Sequence, residues 1–143
     1  MAKRILAPID RRGPGELIVS VLGALARDSG ATLRLLRVMP VPERVVGNHG
    51  QTVAYVDQEM ARLTAEGRDD LQPLEEELRD VIVESVVRFG EPVEEILLEA
   101  EAFDADLIAL TSAARGRLRR FLAHGVADRV ADRVPVPTLL LRH

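Results

Sequence analysis

The sequence predicts a three-layer α/β sandwich built on a parallel sheet. Three observations carry this prediction: short apolar runs, helical stretches between them with apolar residues every three or four positions, and proline or glycine at the junctions. The two most continuous apolar runs are 5–9 and 107–110, and each leads into a turn rich in charged residues. Strands without polar alternation are typical of a sheet covered on both faces by helices.

Composition and net charge indicate what kind of protein this is. The chain has 143 residues, 47% hydrophobic and 29% charged, with a net charge of -4. We therefore expect one cytoplasmic domain, 1–143, without a nucleic-acid or membrane partner. The chain has no cysteine, which excludes disulfides and thiolate ligands. Its histidines, His49, His124 and His143, share no metal-ligand spacing, and no apolar run approaches the roughly eighteen residues of a membrane span.

Five predicted strands supply the sheet. They cover residues 4–9, 32–38, 81–89, 107–110 and 138–141. Pro8 is tolerated near the carboxyl end of the first strand, where the hydrogen-bond ladder finishes. In the second strand, Arg34 and Arg37 are expected near the ends or directed outward. The third strand alternates apolar and charged residues, which favours a position at the edge of the sheet.

Four helical segments connect the strands. They cover about 14–29, 56–78, 92–100 and 122–133. Pro14 and Pro92 can open the first and third helices, because proline fits the first turn. Pro73 is expected to kink or divide the long second helix, since it removes one backbone hydrogen bond. Before that helix, residues 39–52 contain two prolines and two glycines, and a connection of this length is often a lid.

The turns after the first and fourth strands are the candidate functional segments. Carboxyl ends of parallel strands meet at one edge, and doubly wound sheets bind ligands where the strand order reverses. The later turn carries four arginines within six positions: Arg115, Arg117, Arg119 and Arg120. With Arg11 and Arg12 they could hold a polyphosphate by charge, or they could form a solvated basic face.

No spacing in the chain predicts a catalytic group. Ser112 follows a buried strand but lies in no Gly-x-Ser-x-Gly elbow. His124 and Asp128 are four residues apart, which suits a proton-relay pair or an ordinary surface contact. The acidic clusters 75–77 and 94–95 are expected on exposed helix faces, where they favour solubility. We therefore predict no catalytic residue and no metal site.

Two stretches of the chain carry longer motifs: Ile-Leu-Ala-Pro-Ile-Asp at 5–10 and the block 104–141. That block contains Ala-Asp-Leu-Ile, Arg-Gly-x-Leu-Arg-Arg-Phe-Leu, Val-Ala-Asp-Arg-Val and Pro-Val-Pro-Thr-Leu-Leu-Leu. In order and spacing, these motifs resemble the universal stress protein family over essentially the whole chain. The resemblance implies a Rossmann-like fold of the adenine nucleotide alpha-hydrolase type, with strand order 3-2-1-4-5. It also implies a homodimer formed through the last strand, Thr138 to Leu141.

The same resemblance bears on nucleotide binding, because one branch of the family binds ATP and another does not. The ATP-binding branch has Gly-x-x-Gly, nine residues, then Gly-Ser or Gly-Thr. Here Thr111, Ala114 and His124 occupy the three glycine positions, and Gly125 comes one position late. Motif glycines let backbone N–H groups wrap phosphate oxygens, so each added side chain narrows the cradle. The sequence therefore predicts weak or absent ATP binding and no required cofactor, with magnesium and ATP as the possible ligand.

The candidate nucleotide site follows from the resemblance residue by residue. Asp10 would lie beside the nucleoside, and the backbone of Val38 would face the adenine. The full candidate set is Pro8, Asp10, Val38, Thr111, Ala114, Arg115, Arg117, His124, Gly125 and Val126. Two functional hypotheses remain open. One is a non-enzymatic, homodimeric stress-response module acting through an unknown protein partner; the other is a sensor that binds ATP or another anionic nucleotide in the arginine-lined crevice.

Overall fold

Five parallel strands form the centre of the fold. The computed structural model describes residues 3–9, 16–42, 51–111 and 136–141. The strands are β1 (Arg4–Pro8), β2 (Thr32–Met39), β3 (Ile82–Phe89), β4 (Leu107–Thr111) and β5 (Thr138–Leu141). They pair in parallel in the order β3-β2-β1-β4-β5. The predicted fold class and strand order are therefore confirmed, and β3 lies at an edge as its alternating sequence predicts.

Helices cover the sheet on both faces. They are α1 (Glu16–Ser29), α2 (Gln51–Glu77) and α3 (Pro92–Phe103). As predicted, Pro92 opens α3, and Gly30, with a φ of 66°, follows the end of α1. The predicted fourth helix and Pro14 lie outside the described residues.

Pro73 does not divide the second helix. It lies inside α2, which runs without interruption from Gln51 to Glu77. Leu71 and Leu74 flank the proline and are buried, at 0% and 7% exposure, against the sheet. Burial of two leucines contributes about 3 kcal/mol or more, which offsets the hydrogen bond that proline removes. Tertiary packing therefore overrides the local preference.

Two apolar layers hold the helices to the sheet. Residues of alternate parity along each strand face opposite sides. The layer under α1 and α2 includes Ile5, Ala7, Leu33, Leu35 and Ala109, and the layer under α3 includes Leu6, Leu36, Ile108 and Leu110. The runs 5–9 and 107–110 thus contribute to both layers, which explains their lack of polar alternation.

Ion pairs hold the two arginines of β2 against neighbouring elements, so the expectation that they are directed outward is wrong. Arg37 is 8% exposed and forms an ion pair with Asp70 of α2 at 3.3 Å. Arg34 lies in the first half of the strand and pairs with Glu84 and Glu99. Carboxylates from neighbouring elements compensate both charges, so the guanidinium groups remain within the layers.

Asp106 joins the beginnings of β1 and β4. One of its carboxylate oxygens accepts hydrogen bonds from the backbone N–H groups of Lys3 and Arg4, both at 2.9 Å. These bonds to backbone N–H groups lower the pKa of Asp106 below its usual range. Because the folded-state pKa is lowered, the stabilisation is present at neutral pH and is lost as the pH falls below about 4.

We therefore expect Asp106→Asn to reduce stability at pH 7 and to have a smaller effect near pH 3. The measurement is the midpoint of urea unfolding of both proteins at each pH. Asp104→Asn is the matched control, because Asp104 is exposed and its left-handed backbone suits asparagine. An equal loss of stability for Asp106→Asn at both pH values would show that the ionised form of Asp106 contributes nothing to stability.

Candidate functional site

The strand order reverses between β1 and β4. These strands pair with each other at the centre of the sheet, through Ile5 with Leu107 and Leu6 with Ile108. From β1 the chain proceeds outward to β2 and β3, then returns through α3 to β4 on the other side. In doubly wound sheets the carboxyl ends beside such a reversal form the ligand crevice. We call the edge formed by the carboxyl ends of β2, β1 and β4 the switch-point edge.

Three candidate residues lie at the switch-point edge. Pro8 ends β1, Thr111 ends β4, and Val38 is the next-to-last residue of β2. The other candidates are outside the described residues: Asp10, Ala114, Arg115, Arg117, His124, Gly125 and Val126. The structure therefore places the three candidates that belong to strands at one edge of the sheet. The position of the other candidates stays a prediction.

The backbone of Val38 faces the space beyond the end of β1. In a parallel strand, every second residue directs its N–H and C=O toward the same neighbouring strand. The Leu36 carbonyl accepts from the N–H of Ile9 at 2.8 Å, so Leu36 faces β1. Val38 faces the same way, but β1 ends at Pro8, which is level with Leu36. The Val38 carbonyl therefore points past β1 at the switch-point edge.

Arg37 contacts this carbonyl directly. Its Nη1 donates a hydrogen bond to the Val38 oxygen at 3.0 Å, while its Nε donates to Asp70 Oδ2 at 3.3 Å. The sequence predicts only a strand-end or outward position for Arg37 and does not indicate this contact. The available signal was the parity of β2, which places Arg37 on the face that α2 covers, together with the acidic pair Asp69 and Asp70 on that helix.

A second group of charges connects β2, β3 and α3. Glu99 is 4% exposed and accepts hydrogen bonds from Arg34 Nη1 at 2.8 Å and from Arg88 Nη1 at 2.7 Å. Arg34 also pairs with Glu84, and Arg88 pairs with Glu95 at 3.2 Å. We call these five residues the α3 charge network. The guanidinium of Arg34 lies 4.1 Å from the centre of the Phe103 ring, a cation–π contact.

The electrostatics of the α3 charge network favour the charged state of each arginine. Burial acts against the charge of Arg34, but its hydrogen bonds to Glu84 and Glu99 outweigh burial and raise its pKa. The hydrogen bond to Glu99 is the main cause that raises the pKa of Arg88, with Glu95 adding to it. Ion pairs of these two arginines thus link the sheet to α3.

Two carboxylates expected on exposed faces contact the sheet instead. Glu95 belongs to the α3 charge network, with a side chain only 16% exposed. Glu75 of α2 accepts a hydrogen bond from the hydroxyl of Ser85 in β3. The expectation of a purely solvating role is wrong for both, because polar residues of β3 lie within their reach.

A shallow depression lies at the opposite, amino edge of the sheet. It is lined by Arg4, Thr32, Arg34, Glu84, Ala102 and Phe103. Its two arginines are already engaged, since Arg34 pairs with two carboxylates and Arg4 donates to the Phe103 carbonyl at 3.3 Å. Both arginines that line this depression are therefore already paired and offer little to an anionic ligand.

Residues 3–9, 16–42, 51–111 and 136–141 contain neither a candidate metal cluster nor a candidate membrane span. There, no group of three or more histidine, aspartate or glutamate side chains is arranged to hold a metal ion. None of the helices described is both long and apolar enough to cross a membrane.

A doubly wound, five-stranded parallel sheet with a crevice edge at the strand reversal defines a Rossmann-like α/β protein. The chain belongs to the universal stress protein family, whose family model matches residues 1–142. The family predicted from the motifs at 5–10 and 104–141 is therefore confirmed.

Solved structures show the same fold. Hypothetical protein MJ0577 has a TM-score of 0.71 at 24% identity, with 99% of this chain and 96% of that chain covered. The universal stress protein UspA from Lactobacillus plantarum also has a TM-score of 0.71, at 16% identity and with 98% and 97% covered. A universal stress protein in complex with cAMP has a TM-score of 0.56 at 16% identity, with 98% and 97% covered. Among curated proteins, no significant match was found.

Proposed function

We propose that this universal stress protein is a non-enzymatic cytoplasmic module that binds ATP weakly or not at all and acts through a protein partner in the stress response. One observation carries the proposal: Thr111, Ala114 and His124 occupy the three positions where the ATP-binding branch has glycine. The described structure supports it by placing Thr111 at the end of β4, next to β1 at the switch-point edge.

Each of these replacements acts on the space available to phosphate. Backbone N–H groups can contact phosphate oxygens closely only where no Cβ intervenes, and a charged hydrogen bond of this kind contributes about 1.5–3 kcal/mol. Loss of even two such contacts corresponds to an affinity about 100-fold lower or more. Titration calorimetry with ATP and magnesium is therefore expected to show no saturable binding in the low-micromolar range. Saturable binding there would contradict the proposal.

The same proposal includes a homodimer formed through β5. This strand lies at the edge of the sheet, where backbone groups are available for pairing with a second chain. Its Leu139 is 36% exposed, which gives the edge an apolar side chain for a partner to cover.

We expect light scattering to give the mass of a dimer for the native chain and of a monomer for Leu139→Lys. The charged side chain would lie unpaired at the centre of the proposed interface, where burial is costly. Leu17→Lys is the matched control, because Leu17 is a 61% exposed leucine on α1. A native chain that is monomeric at micromolar concentration would exclude the dimer, and dissociation of both variants would place the interface elsewhere.

A second function is favoured by the geometry at Val38 and by the relative in complex with cAMP. In this alternative the chain is a sensor that binds an anionic nucleotide at the switch-point edge. The backbone of Val38 would face the base, and Arg115 and Arg117 would supply positive charge for the phosphate. A nucleotide with a single phosphate needs less of the narrowed cradle than ATP does, so the alternative is compatible with weak ATP binding.

A further inference from the structure

We propose that Arg37 determines which bases the switch-point edge accepts. By donating to the Val38 carbonyl, Arg37 weakens the preference of that oxygen for a base carrying an exocyclic amino group. This inference rests on the second proposed function, the binding of a nucleotide whose base faces Val38. It concerns a residue that the candidate set does not contain.

The position of Arg37 is fixed from two sides. Its Nη1 donates to the Val38 oxygen at 3.0 Å, and its Nε donates to Asp70 Oδ2 at 3.3 Å. The side chain is only 9% exposed, so the guanidinium has little freedom to turn into solvent. A planar guanidinium can hold two partners at once in this way, which an ammonium group cannot reproduce.

Close packing of α2 keeps the arginine in place. At Gly67 of α2, an added Cβ would lie 3.0 Å from Val87 Cγ2 and 3.5 Å from Arg37 Cγ. The helix backbone therefore lies directly over the stem of Arg37, and Asp70 is one turn further along α2. From there the guanidinium reaches the Val38 carbonyl, which lies toward the carboxyl edge of the sheet.

The Val38 carbonyl can discriminate between amino and keto groups on a base. A bare carbonyl oxygen accepts a hydrogen bond from the amino group of adenine and faces lone-pair repulsion from a keto oxygen at the same ring position. Where a charged donor already binds the carbonyl oxygen, a hydrogen bond from the amino group contributes less binding energy. The repulsion between the carbonyl oxygen and a keto oxygen is also weaker. Sites that bind a substrate group by a specific hydrogen bond discriminate strongly, and sites without one do not. The native chain should therefore distinguish 6-amino from 6-keto purines only weakly.

AMP and IMP are the probes, because they differ in the amino or keto group at C6 and in the hydrogen that the keto form carries on the neighbouring N1. Titration calorimetry would give both dissociation constants for the native chain, Arg37→Met and Arg37→Lys. We expect the native constants to agree within about threefold. In Arg37→Met, the preference for AMP over IMP should rise about tenfold, the effect of regaining one hydrogen bond. Arg37→Lys keeps the charge beside Asp70 but loses the planar guanidinium. Its preference for AMP over IMP should therefore also rise, but by less than in Arg37→Met.

Arg34→Met is the matched control. Arg34 is an ion-paired arginine of the same strand, but it belongs to the α3 charge network on the other face of the sheet. Its replacement should reduce stability without changing the ratio of the two constants. A purely structural role of Arg37 would predict the same for both arginines.

The outcomes separate this inference from the functions on which it rests. An unchanged AMP-to-IMP ratio in the folded Arg37 variants would overturn it, and Arg37→Lys decides if Arg37→Met does not fold. If neither nucleotide bound saturably to the native chain, both the Arg37 inference and the sensor function would be overturned. The leading proposal, weak or absent ATP binding, would be unaffected. Low-micromolar ATP binding with the expected ratio change would support Arg37 and contradict the leading function.

Discussion

Replacing Glu99 with alanine is expected to lower the free energy of unfolding by about 3 kcal/mol, at the lower end of the range for breaking a buried ion pair. The carboxylate is 5% exposed and accepts from both Arg34 and Arg88. Without it, two guanidinium groups would face each other in a partly buried layer. The loss stays at the lower end because each arginine keeps a second carboxylate, Glu84 or Glu95.

The measurement is the change in the urea midpoint together with the slope of the transition. Glu101→Ala is the control, because Glu101 lies on the exposed face of the same helix, and its loss should stay within about 0.5 kcal/mol. A loss below about 1 kcal/mol for Glu99→Ala would place the α3 charge network among ordinary surface ion pairs. The structure would then hold α3 by apolar packing alone.

The order and type of the described elements follow from local patterns in the sequence. The runs 5–9 and 107–110 predict doubly covered strands because apolar residues there occupy positions of both parities. Pro92 and Gly30 mark helix ends because each has a backbone conformation suited to that place. Side-chain parity and turn chemistry act over a few residues, so a single sequence displays them.

The errors at the two arginines of β2 involve partners that are distant in sequence. Arg34 and Glu99 are 65 residues apart, and Arg37 and Asp70 are 33 apart. No local pattern shows that α2 and α3 bring carboxylates over β2. Continuity of α2 through Pro73 has the same origin, since burial of Leu71 and Leu74 against the sheet decides it.

The candidate site likewise has a part that the sequence predicts and a part that it does not. Pro8, Val38 and Thr111 could be placed because they end strands, and strand order then fixes which ends are neighbours. The parity of β2 and the acidic pair on α2 indicate which face Arg37 occupies, but its contact with Val38 could not be predicted from them, because the close packing of α2 at Gly67 is not visible in the sequence. The roles of Asp10, His124 and the arginine-rich turn stay predictions.

Restoring the three glycines is expected to raise ATP affinity by at least about tenfold. The variant combines Thr111→Gly, Ala114→Gly and His124→Gly. Three regained contacts between backbone N–H groups and phosphate would contribute about 1.5–3 kcal/mol each. The additional flexibility of each glycine costs up to about 1 kcal/mol, which leaves a net gain of about 1.5 kcal/mol or more. Ala113→Gly is the control, because it adds a glycine within the motif at a position where the ATP-binding branch does not require one.

Titration calorimetry with ATP and magnesium on the native chain, the restored variant and Ala113→Gly tests this explanation of ATP binding directly. The side chains at 111, 114 and 124 are expected to keep the native chain and the control without saturable low-micromolar binding, while the restored variant binds measurably more tightly. Low-micromolar binding by the native chain, unchanged in the restored variant, would contradict the proposal that these side chains narrow the phosphate cradle.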